Sequence, residues 1–168
     1  MLLYLKLKTI VMKKFIYLFL VVCITYNCSS DDENTPNILG CTDPQATNYN
    51  ANANSDNGTC LYSIIGDWTV TQYTLSDGTN ILASFDYIDY TLYSDDSYIQ
   101  YAGIPGTNEE LVFTGVYSIG GANNSSITFY DDSGTTTVCT ILSVNYENIS
   151  LTFDFDSTTT AYMELVRL

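Results

Sequence analysis

Cysteine and carboxylate are the reactive side chains this chain has in number: five Cys and 19 Asp+Glu, with no His. Without imidazole there is no Ser-His or Cys-His pair, so the common schemes for activating a nucleophile are excluded. A pair of carboxylates remains able in principle to cleave a glycosidic bond as acid and base. The obvious pairs, Asp95-Asp96, Glu109-Glu110 and Asp131-Asp132, stand in polar turns, where solvation accounts for them. A non-enzymatic protein without cofactor or metal centre is expected.

The charges are unevenly distributed. Lys6, Lys8, Lys13 and Lys14 all precede a hydrophobic run, and after residue 27 the only basic residue is Arg167. A chain beginning at Cys28 would carry 19 acidic side chains against that one arginine, a formal balance of −18. Such a field repels phosphate backbones, so no nucleic-acid partner is expected. Solubility of an acidic surface is the plainer cause of the excess.

The stretch "MKKFIYLFLVVCITYNC" (12–28) has two lysines, the apolar run Phe15–Ile24 and a short polar region ending in cysteine. That is the plan of a signal peptide, here residues 1–27, with Met1 or Met12 as the start. Ten apolar residues are too few for a bilayer core, which takes about 20, so a permanent transmembrane helix is the weaker reading. Cys28 is followed at once by Ser29, Ser30, Asp31, Asp32 and Glu33. Residues 12–34 resemble a bacterial lipoprotein leader, and "CSSDDEN" is similar to the serine-plus-acidic export tag of Bacteroidetes surface lipoproteins. The resemblance implies lipidation (palmitate among the acyl chains) at Cys28, an acidic tether over 28–39, and anchoring in the outer membrane facing outward. Thr25-Tyr26-Asn27 departs from the small residues usual before that cysteine, Cys23 is a competing site, and ordinary secretion with a free Cys28 is the alternative.

With Cys23 lost with the leader and Cys28 acylated, Cys41, Cys60 and Cys139 remain. Cys41 and Cys60 frame a stretch so rich in Asn, Asp, Gly and Thr that it cannot build a core, and a disulfide would close it. Cys139 lies in the strand-like "TTTVCTILSV" and reads as a small buried apolar residue. The disulfide leaves no thiols for a zinc site of the usual kind. Asn52, Asn54 and Asp56 alternate as at the start of a calcium loop, but Asn57 stands where such a loop needs glycine and Ser63 where it needs a bidentate Glu. A structural spacer over 40–61 is therefore preferred. Its Gly40-Cys41-Thr42-Asp43-Pro44, Ala46, Asn48-Tyr49-Asn50, Ala53 and 56–60 resemble a short repeat found in Bacteroidetes cell-surface proteins.

From residue 62 the texture changes to alternating apolar and polar residues. In "ISLTFDF" (149–155), Ile149, Leu151, Phe153 and Phe155 fall on one face, as in a half-buried strand. Eight strands are expected, near 67–75, 86–93, 97–102, 111–118, 125–130, 135–144, 148–155 and 159–167, with turn-forming residues between them. An all-β, eight-stranded antiparallel up-and-down barrel over 62–168 removes the exposed edges, and a two-sheet β-sandwich is the alternative. Residues 64–168 resemble the bacterial lipocalin-like domain, through Gly66 and Trp68 in the opening Gly-x-Trp, "DYTLYSDDSYIQY" as the second hairpin, Gly115-Val116-Tyr117 and a short last strand. Departures are Asp96-Ser97 for the usual Asp-Gly turn and Tyr117 for tryptophan.

Arg167 shares the parity of Met163 and Leu165, so it points to the apolar side of its strand. In an up-and-down barrel the first and last strands are neighbours, which would set Trp68 beneath the guanidinium. The lipocalin resemblance implies that such a pair plugs the barrel floor. Twelve tyrosines and five phenylalanines follow residue 27, suiting a cup with apolar walls and a few hydroxyls to orient a guest. The expected function is non-catalytic binding of a small apolar or amphipathic ligand by a monomer. A filled barrel serving as a structural, protein- or glycan-interaction module is the alternative.

Overall fold

The structure, a computed structural model, describes residues 36–168. Asn37–Leu168 form one compact unit. Its N-terminal part holds β1 (Leu39–Gly40) and β2 (Ser55–Asp56), paired in parallel. The Cys41–Cys60 disulfide closes this segment, with the two Cα atoms 4.9 Å apart. Of the residues considered for calcium, Asn54 Oδ1 accepts from the Ile38 N–H and Asp56 Oδ1 from the Gly58 N–H, while the Asn52 N–H donates to Asn50 Oδ1. Such side-chain-to-backbone bonds are how a segment poor in apolar residues holds a shape.

Eight antiparallel strands follow: β3 (Gly66–Leu75), β4 (Ile88–Leu92), β5 (Ser97–Gly103), β6 (Glu110–Gly120), β7 (Ser126–Asp131), β8 (Thr136–Val144), β9 (Asn148–Asp154) and β10 (Thr160–Arg167). Each pairs with the next, and β10 pairs back with β3, so the sheet is a closed barrel and not a two-sheet sandwich. Closure leaves no strand of the eight with an unpaired edge. The observed ends differ from the expected ones by a residue or two. β4 starts at Ile88 because the chain before it makes a 3-10 turn at Leu82–Ser84, and β6 runs on to Gly120 because Ser126 of β7 pairs there.

Period-2 alternation places the core. Trp68 and Val70 of β3, Ile88 and Leu92 of β4, and Ile149 and Leu151 of β9 are all buried and face inward. Register shifts at Glu164/Leu165 in β10 and Ile141/Ser143 in β8 bend the sheet where it must curve to close. The hairpin turns fall at two ends. The 93–96, 121–125 and 145–148 turns share one end with the chain entry at 63–65 and with Arg167, and the connections 76–87, 104–109, 132–135 and 155–159 form the other.

Candidate functional site

The first end is shut. Arg167 Cζ lies 4.2 Å from the centroid of the fully buried Trp68 ring and 4.9 Å from that of Tyr146. Its three nitrogens each donate to a backbone carbonyl: Nε to Tyr146 (2.6 Å), Nη1 to Ile65 (2.9 Å) and Nη2 to Ser63 (2.9 Å). The indole Nε1 donates to the Ile64 carbonyl at 2.8 Å. One guanidinium thus ties the chain entry, the β8–β9 turn and the end of β10 together, using the planar fork that lysine lacks. Gly66 makes the approach possible: its φ is +136°, and a Cβ there would stand 2.5 Å from Arg167 Nη1. Beside this plug, Tyr117 Oη donates to the Tyr93 carbonyl at 2.8 Å.

Above the plug lies a cavity of about 290 Å³. Its walls are aromatic and aliphatic, with Tyr73, Tyr90, Tyr98, Phe129, Phe153 and Met163 among them. The rings pack against one another, Phe129 standing edge-on to Tyr98 at 5.0 Å between centroids and tilted to Tyr90 at 5.9 Å. Tyr73 packs against Phe153 at 5.9 Å. None of the Tyr73, Tyr90 and Tyr98 hydroxyls, nor the Gln100 amide, has a hydrogen-bond partner among the described residues. These are polar groups set among mainly apolar walls, the pattern by which binding cavities orient a guest. Burial pushes all three phenols up, Tyr98 to about 12 with the charges of Asp131 and Asp132 adding to it, so they are neutral donors near pH 7. The same burial pushes the Cys139 thiol, also in the wall, up to about 12 and makes it a poor nucleophile.

The cavity has one polar side, formed by Gln100, Asp131, Ser133, Thr135 and Thr137. Asp131 is the acid that the turn composition assigned to solvent. In the barrel, Tyr98 pairs with Gly115 and Gly115 with Asp131, so the three share an inward face with no side chain between the tyrosine and the carboxylate. Gly115 has to be glycine, because a Cβ there would collide with the Tyr130 carbonyl. Nothing in the local sequence marks Asp131 apart from Asp132, whose Oδ2 accepts from the Thr114 hydroxyl on the outer face at 2.6 Å.

The other residues singled out from the sequence are placed as follows. Cys41 and Cys60 form the disulfide, and Cys139 is free and buried. Cys28 and residues 1–27 lie outside the described residues. Of the tyrosines crowding β4, β5 and their flanks, Tyr90 and Tyr98 face the cavity, whereas the exposed Tyr87 donates to Glu110 at 2.7 Å on the outside. Among the described residues no three Cys, Asp or Glu side chains converge as a metal site. No known protein family matches the chain, and no curated protein does.

Proposed function

We propose that this chain is a surface lipoprotein whose lipocalin-like barrel holds a small apolar or amphipathic ligand without transforming it. The observation that carries the binding reading is the cavity of about 290 Å³, closed beneath by Trp68 and Arg167 and walled by aromatic rings with unpartnered hydroxyls. A void of this size argues for a cup over a filled barrel, since packed interiors leave few gaps larger than a water molecule. The anchoring reading rests on the leader and on Cys28 with its acidic tag. Two or more acyl chains there give stable membrane attachment.

An environment-sensitive fluorophore such as 1-aminoanthracene tests the cup. It should bind with saturation at one site per chain, and Thr137→Phe, which puts a ring into the cavity wall, should abolish the signal while leaving the circular dichroism unchanged. Equal binding by wild type and Thr137→Phe would place the fluorophore elsewhere and sink the reading. Anchoring is tested separately with a clickable palmitate analogue, which should label the wild type and spare Cys28→Ala. Labelling lost only in Cys23→Ala would move the anchor.

A further inference from the structure

Resting on the cup reading, we infer that the cavity selects cationic amphiphiles: an aromatic body among the rings of Tyr90, Tyr98 and Phe129, with a primary ammonium group held at the Asp131 side. The cavity wall contains one ionisable carboxylate and no cationic side chain. The only basic residue after residue 27, Arg167, is spent on three backbone carbonyls of the floor and cannot turn to meet an anion. An acidic ligand would therefore bring an unpaired negative charge into a ring-lined space, which is strongly disfavoured. An ammonium finds the opposite conditions. Asp131 Oδ1 accepts the Ser133 N–H at 2.6 Å, and hydrogen bonding from Ser133 holds its carboxyl below the usual carboxylate range.

Geometry gives the charge its reach. Because Gly115 offers no side chain, the Asp131 carboxylate and Tyr98 face each other across one strand. The phenol of Tyr98 and the amide oxygen of Gln100 stand on the same side of the cavity, both without partners among the described residues and both able to accept from an ammonium. The faces of the flanking tyrosines add cation–π attraction. Size limits the body of the ligand. A dry cavity of about 150 Å³ accommodates benzene, so about 290 Å³ suits a bicyclic ring carrying a short arm.

Three indoles with the same two-carbon arm separate charge from fit: the near-isosteric tryptamine and tryptophol, and the anionic indole-3-propionate, titrated calorimetrically into the full-length protein. Tryptamine should bind about tenfold more tightly than tryptophol, the difference that 1.4 kcal/mol makes, and indole-3-propionate more weakly than either. Asp131→Asn keeps the acceptor for Ser133 but removes the charge, and should bring tryptamine to the level of tryptophol. Asp95→Asn is the control: it removes one charge from a turn at the closed end, where Asp95 serves Ser97, and should leave the preference intact. Equal binding of tryptamine and tryptophol to the wild type would overturn the inference while leaving the cup standing. So would an equal loss in both variants, which would trace any preference to the net charge of −14. Failure of all three indoles to bind would also overturn the inference, and saturable 1-aminoanthracene binding in the same protein would show that the cup itself stands.

Discussion

Arg167→Ala takes away three hydrogen bonds and two ring contacts in one substitution, and its cost can be worked from the structure. The carbonyls of Ser63, Ile65 and Tyr146 each lose a charged donor at 2.6–2.9 Å. Arg167 is only half-buried and water reaches this end, so each loss is set at the low end of the range for a hydrogen bond, about 0.5–1 kcal/mol. Losing the contact with the buried Trp68 adds about 0.5–1 kcal/mol, and the exposed Tyr146 adds little. The total is about 2–4 kcal/mol, a large part of the 5–15 kcal/mol by which domains are stable. With a urea slope of about 1.5 kcal/mol/M, the midpoint should fall by about 2 M. Trp68 is the only tryptophan, so its emission should shift to the red in the native baseline as water reaches the indole. Arg167→Lys should recover less than half, because an ammonium cannot stack and fork at once. A midpoint within about 0.3 M of the wild type, with unshifted emission, would refute the account of the floor.

Gly66→Ala should destabilise by about 1–3 kcal/mol, because the new methyl meets Arg167 Nη1 and the φ of +136° resists any side chain; a urea midpoint equal to the wild type would contradict this. Cys139 should ignore a thiol reagent at pH 8 in the native protein and react after denaturation, while Cys41 and Cys60 stay silent until reduced. Stability should also decline in alkali: the native thiol, raised to about 12 from 9.0, holds its proton where the unfolded one has lost it. Its contribution is whole below pH 9 and vanishes as pH climbs to 12, so a wild-type urea midpoint flat from pH 8.5 to 11 would contradict it. Replacing both Cys41 and Cys60 with serine should release about 3 kcal/mol of constraint on the intervening loop. Limited proteolysis should then cut between them while the barrel keeps its far-ultraviolet spectrum, and a loop as resistant as in the wild type would argue against the crosslink's role.

Much of this molecule is written locally. Alternation in "ISLTFDF" and the turn residues between such runs determine the strands, since a side-chain period of two and the chemistry of Asn, Asp and Gly act over a few neighbours. The same local signals give the parity that turns Arg167 inward. They leave barrel and sandwich open, because both satisfy the alternation. What decides is the pairing of β10 with β3, between residues such as Arg167 and Trp68 that lie about a hundred positions apart. The cavity is less legible still, as its volume is what eight strands leave over and no single side chain declares it. Asp131 shows the limit most clearly. By sequence it is half of a solvated turn pair, yet the register Tyr98–Gly115–Asp131 puts it on the inner wall and sends its neighbour Asp132 outside. Register sets the face on which every side chain falls, and it is fixed by contacts across the barrel that the turn itself does not contain.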